Sequence, residues 1–76
     1  MVTVRYWASA RQAAGVVEET VQAATLAELR AILLGRPTLG PICATSSYLV
    51  DNRQAPADAV LEDGAVVDVL PPFAGG

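Results

Sequence analysis

One segment of this chain carries a complete set of helix signals, and short alternating segments lie on both sides of it. That order limits the fold more than any other feature. Thr25 stands three residues before Glu28, a capping box in which each side chain satisfies a backbone amide left free at a helix start. Leu26, Leu29 and Leu33 follow at i, i+3 and i+7 with Ile32 beside them, while Glu28 and Arg30 can face water. Gly35 supplies a stop and Pro37 follows closely, so the spacing predicts a helix over Leu26–Leu34.

Before this helix, Val2, Val4 and Tyr6 alternate with Thr3, Arg5 and Trp7, the period of a strand with one face on a core. Residues 8–14 leave room for a loop and a partial turn. After Gly15, residues 16–22 form a second β-like stretch, most simply paired antiparallel with the first. Beyond the helix, residues 37–47 read as loop, with a short helical turn around 42–44. Tyr48, Leu49 and Val50 make a short strand, Asp51-Asn52-Arg53 supplies turn chemistry, and Pro56 bars a central strand after it. Asp63-Gly64 is a turn signal before the last strand, 65–70. This is an α+β order. One helix between two strand groups buries its leucine face by lying across one side of a single mixed sheet, which is the β-grasp arrangement. With the first and last strands parallel at the centre, as that arrangement has them, the tail leaves from the middle of the sheet's end. We therefore expect a β-grasp domain over 1–70 and an extended, flexible tail over 71–76.

A chain of 76 residues has room for one domain and buries only roughly 60% of the surface it exposes unfolded. The hydrophobic content of 53% meets the need for a rich core, and the single Cys43 excludes an internal disulfide. These features point to a reducing compartment, and neither a signal peptide nor a membrane span is visible, so the expected location is the cytoplasm. Cys43 itself reads as a small buried hydrophobe. A net charge of −3, with five scattered arginines, argues against nucleic acid. The chain has no histidine and no lysine, hence no imidazole for general-base or metal chemistry and no side-chain amine for Schiff bases. Stand-alone catalysis is disfavoured. The doublets Glu18-Glu19 and Glu62-Asp63 read as solvated charge rather than as paired catalytic carboxylates.

The remaining chemistry lies at the end. Pro71 and Pro72 cannot donate ladder hydrogen bonds and favour an extended exit from the sheet. Six residues from Pro71 to Gly76 reach at most roughly 20 Å, enough to enter another protein's pocket. Gly75 and Gly76 pass a narrow channel for want of a Cβ, and the Gly76 carboxylate is sterically open. It is ionised and a poor electrophile, so it needs activation, for which adenylation by an ATP-using partner is the natural route. Leu70, Pro71, Pro72 and Phe73 are candidates for the apolar collar that docks such a tail. Trp7 falls out of phase with Val2, Val4 and Tyr6, which places it away from the helix or at an edge, either as an interface anchor or as a cap on the core. Arg11 is a candidate contact to an acidic partner.

The opening Val2-Thr3-Val4-Arg5-Tyr6-Trp7-Ala8 through Arg11 and Gly15, the Thr25-Leu26-x-Glu28-Leu29 helix start, the Asp63-Gly64 turn and Pro71-Pro72-x-x-Gly75-Gly76 together resemble the MoaD/ThiS family of ubiquitin-like sulfur carriers. The resemblance spans almost the whole chain and is nearest to the branch of molybdopterin synthase small subunits. It implies a ubiquitin-like β-grasp fold and adenylation of Gly76 by an E1-like enzyme (MoeB type) using ATP and Mg, with no cofactor bound by this chain. It also implies conversion to a thiocarboxylate with a sulfur donor protein, and insertion of the tail into a large subunit (MoaE type) of a heterotetrameric molybdopterin synthase, where sulfur passes to a cyclic pyranopterin. Catalytic residues would then belong to the partners, with Gly76 the reacting group and Gly75 its conduit. Other readings stay open: a sulfur carrier for thiamin or cysteine biosynthesis, a ubiquitin-like protein modifier, or a non-covalent β-grasp interaction module.

Overall fold

The computed structural model describes residues 1–72; the expectations that fall on Phe73, Gly75 and Gly76 lie outside the described residues. In chain order the elements are β1 (Val2–Tyr6), α1 (Ala8–Ala14), β2 (Glu18–Val21), α2 (Leu26–Leu34), α3 (Gly40–Ala44), β3 (Ser47–Val50), β4 (Arg53–Gln54) and β5 (Val66–Leu70). The strands form one five-stranded sheet in the order β2-β1-β5-β3-β4. β1 and β5 are parallel at its centre, while β2, β3 and β4 pair antiparallel with their neighbours. This is the mixed, ubiquitin-like β-grasp sheet that the strand and helix order implies.

The alternation in the outer and inner residues of β1 sets the core. Val2, Val4 and Tyr6 are buried with Val67 and Val69 of β5, and Leu26, Leu29 and Leu33 of α2 pack over them. The capping box forms: the Glu28 amide donates to Thr25 Oγ1 at 3.2 Å, and the Glu28 carboxylate reaches back to the Ala24 amide at 3.4 Å. Ile32 does not join the leucines and is exposed, because one residue before Leu33 is a rotation of about 100° around the helix. Arg30 is half-buried rather than solvated, with its guanidinium 5.1 Å from the centre of the Tyr48 ring.

Residues 8–14 correct the expectation of a loop. They form a helix, because Ala8, Ala10, Ala13 and Ala14 favour helix and Ala10 is buried against the core. Gly15 ends it in the left-handed conformation at φ 77, its amide bonded to the Arg11 carbonyl, a position that favours glycine. The ladder of β2 accordingly starts only at Glu18, leaving Val16 and Val17 outside it and exposed. The helical turn expected around 42–44 is the end of α3, which runs from Gly40 and buries Leu39 and Cys43 beneath it. Gly40 is required there: a Cβ would collide with the backbone carbonyl of Leu34. Asp51 and Asn52 both take positive φ, 49° and 67°, the form of tight hairpin turn that matches strand twist. Among the described residues no helix is long and apolar enough to cross a membrane.

A polar cluster ties the loop after α2 to the sheet. Arg36 grips the Glu19 carboxylate with both Nη atoms at 2.6 and 2.8 Å, and the buried Tyr6 hydroxyl donates to the same carboxylate at 2.8 Å. Hydrogen bonding from Arg36, aided by Tyr6, holds the Glu19 carboxyl below its ordinary range against the opposing effect of burial. A depressed folded-state value means stability that is fully present above the ordinary carboxylate range and lost as pH falls through the depressed value. Thermal melts across the acid range should show this: Glu19→Gln loses stability at neutral pH by about 1–2 kcal/mol and flattens the fall in melting temperature below about pH 4. In the core, Leu29→Ala is expected to cost about 2–5 kcal/mol in urea unfolding, since Leu29 is fully enclosed.

Candidate functional site at the root of the tail

The site is the end of the sheet from which the C-terminal residues depart. β5 lies between β1 and β3, and its ladder runs out where Leu70 pairs with Ser47 and Val69 with Tyr6. Pro71 follows and has no amide hydrogen to extend the ladder. Pro71 is buried and Pro72 exposed, so the apolar surface at this point comes from half-buried Leu70, Pro72 and the neighbouring Trp7 rather than from Pro71.

Trp7 stands one position beyond the Tyr6–Val69 pair, level with Leu70. It does not cap the core. Its indole joins the sheet face opposite the helices, with Nε1 donating to Asp68 Oδ1 at 3.0 Å and 38% of the residue exposed. Arg11 comes to the same place from α1: its Nε donates to the Tyr6 carbonyl at 3.2 Å, and its guanidinium carbon lies 5.5 Å from the centre of the Trp7 ring. Arg5 is 5.8 Å from that centre, close enough for cation–π attraction. The fold therefore places Trp7, Arg11, Leu70 and Pro72 at one end of the sheet.

Arg5 and Asp68, which sequence reasoning passed over, are brought to the same place by the fold. One straight row crosses the open face of the sheet, Glu18, Arg5, Asp68, Leu49 and Gln54, each directly paired with the next. Within it Arg5 forks onto Asp68, Nε to Oδ1 at 2.6 Å and Nη2 to Oδ2 at 2.9 Å. Asp68 is itself buried. The Arg5 hydrogen bonds hold its carboxyl below the usual carboxylate range, with a further contribution from the Trp7 indole, while burial works in the other direction. Asp68 also pushes the Arg5 guanidinium further toward its charged form. The sequence signal was available: an aspartate interrupting the valines of a central strand needs a partner, and the parallel register supplies one from the first strand, at the other end of the chain.

Other candidates separate. Glu18 and Glu19 point to opposite faces of β2, one beside Arg5 and the other toward Tyr6 and Arg36, so they make no paired-carboxylate site. Cys43 is buried, and its desolvation pushes the thiol up and away from the reactive thiolate. Among the described residues no group of His, Cys, Asp or Glu could hold a metal ion. What this end of the molecule offers is a rigid, partly apolar and partly cationic collar around an emerging chain.

Similar structures share this frame. A Pyrococcus furiosus protein assigned as molybdopterin converting factor, subunit 1, superposes with a TM-score of 0.79 at 28% identity, over 95% of this chain and 97% of its own. A chain from the complex of subunits 1 and 2 of molybdopterin-converting factor from Helicobacter pylori superposes with a TM-score of 0.80 at 28% identity, over 99% and 97%. SAMP1 from Haloferax volcanii, at 18% identity, shares the fold with a TM-score of 0.76 over 99% and 98%. No curated protein sequence matches significantly. A family model matches residues 4–76, from the first strand through the terminal glycines, and on that match the chain belongs to the ThiS family.

Proposed function

We propose that this chain is a sulfur carrier acting as the small subunit of a molybdopterin synthase. The observation that carries the reading is the ThiS family match over residues 4–76, which reaches Gly76. Its support comes from the likeness to subunit 1 of molybdopterin-converting factor, one example of which is in a complex with subunit 2. In this reading an E1-like adenylating enzyme of MoeB type, with ATP and Mg, directs the Gly76 carboxylate onto the α-phosphorus of ATP. Pyrophosphate leaves, and the product is a mixed anhydride. Hydrosulfide equivalents from a donor protein then attack the acyl carbon, AMP departs, one proton is released, and a thiocarboxylate remains. A large subunit of MoaE type receives the tail, and the thiocarboxylate sulfur bonds to a carbon of a cyclic pyranopterin. Water then cleaves the bond between that sulfur and the Gly76 acyl carbon, its oxygen restoring the carboxylate for another cycle.

The chain's own part is presentation. With no lysine or histidine, it supplies no side-chain amine or imidazole to these steps; β5 fixes where the tail starts, and Gly75 fits the channel. Trp7, Leu70 and Pro72 give partners an apolar surface at the tail root, and Arg11, which has no carboxylate partner among the described residues, offers a cation for an acidic group.

Incubation with the adenylating enzyme, ATP and a sulfur donor should make the intact chain heavier by the difference between one sulfur and one oxygen atom, and deletion of Gly76 should abolish the gain. Adducts with protein lysines in place of that gain would instead identify a modifier. In a deletion strain, loss of molybdoenzyme activity is expected; thiamin or cysteine auxotrophy would redirect the sulfur to another acceptor. Trp7→Ala should weaken association with the adenylating enzyme by about 30-fold, as loss of an aromatic anchor does, measured by titration calorimetry.

A further inference from the structure

We propose that Asp68 is a positioning residue for docking at the tail root, acting through the indole of Trp7. This rests on the reading of Trp7 as a partner contact. Asp68 sits on the sheet face that carries no helix, between Val67 and Val69, which point into the core. Its neighbours along the row are Arg5 and Leu49, and Leu70 is next on the same face of β5. An apolar side chain here would join Leu49 and Leu70 without desolvating a charge. Replacing a buried ion pair by packed apolar groups is often neutral or stabilising, so stability alone does not select a carboxylate.

The carboxylate does something an apolar group cannot. Oδ1 accepts from Arg5 Nε at 2.6 Å and from Trp7 Nε1 at 3.0 Å, and Oδ2 accepts from Arg5 Nη2 at 2.9 Å. Trp7 needs this. It follows the last residue of β1 and precedes Ala8, whose φ of 49° turns the chain sharply into α1, so no strand pairing holds its side chain. A hydrogen bond to the in-plane indole N–H fixes the rotation of the ring, and Arg5, held by the same carboxylate, stands 5.8 Å from the ring centre. The exposed part of the indole is thereby offered in one orientation beside the departing tail. A contact ordered in advance spares the ordering cost at association.

The test is ATP–pyrophosphate exchange by the adenylating enzyme of the same cells, with the intact chain as the varied substrate. Asp68→Asn should raise the KM for this chain by about fivefold and leave kcat unchanged. Trp7→Phe, which keeps a ring and lacks the N–H, should do the same, and the double variant should add nothing to either single one. In the Asp68→Asn chain the indole N–H resonance should shift and exchange faster with solvent while the melting curve still shows a folded domain. Should Asp68→Asn fail to fold, Trp7→Phe decides. If Trp7→Ala raises KM but Asp68→Asn and Trp7→Phe do not, or if their effects simply add, positioning is overturned and docking stands. If Trp7→Ala leaves KM unchanged, the docking reading itself falls and the proposal with it.

Discussion

The parallel pairing of β1 with β5 is the interaction on which the rest of this structure depends. It joins the two strands farthest apart in sequence and places them side by side at the centre of the sheet, so almost the entire chain must be closed as a loop before the pairing exists. Such non-local contacts are entropically expensive. They are stabilised from one side by α2, whose leucines cover Val4, Tyr6, Val67 and Val69 together, and at the edges by β2 and β3, which pair antiparallel with the two central strands. A strand hydrogen-bonded on both sides cannot swing. Whatever follows Leu70 therefore starts from the end of a strand held between two neighbours.

The same pairing divides the sheet into two electrostatic environments. On the helix side the row is apolar, with the Glu19–Arg36–Tyr6 cluster confined to the β2 edge. On the open side, parallel register brings Arg5 level with Asp68, and each satisfies the other. The cations near the tail root are thus unequal. Arg5 is consumed by Asp68, whereas the Arg11 guanidinium is anchored through Nε to a backbone carbonyl and meets no carboxylate among the described residues. The unneutralised charge at this end is set by the topology as well as by the composition.

What could be read from the sequence follows from how local each signal is. The capping box and the leucine spacing gave α2 with its observed limits, and the alternation of β1 gave its faces, because both patterns are complete within a few residues. Residues 8–14 were missed as a helix since a run of alanines carries no amphipathic stripe; its propensity and the Gly15 stop were the signals to weigh. Ile32 was misplaced because adjacency in sequence is not adjacency around a helix. At the site, phase alone placed Trp7 away from α2 or at an edge, and its partner could not be read at all. That partner, Asp68, is distant in the chain, and only the parallel register makes the two meet. Pro71 could be read as a strand terminator but not as buried, which depends on what surrounds the end of β5.

In the proposed role the fold would have to present an activated carboxyl without reacting with it, and the placement of the described residues suits that requirement. There is no lysine. The Cys43 thiol of α3 is buried in the core, and desolvation favours its protonated form. The Met1 amine is bound to Asp63 at 2.7 Å, at the end of β1 opposite Trp7 and hence at the far end of β5 from the tail root. Near that root, Arg5, Arg11 and the Trp7 indole are hydrogen-bond donors and cations without nucleophilic character at neutral pH. The Asp68 carboxylate is occupied by Arg5 and Trp7, and Ser47, which pairs with Leu70, carries a hydroxyl that is a weak nucleophile without an adjacent base. In the proposed role, the described residues at the tail root are suited to binding and orienting an acyl group rather than capturing it, which leaves the chemistry to the partner that accepts the tail.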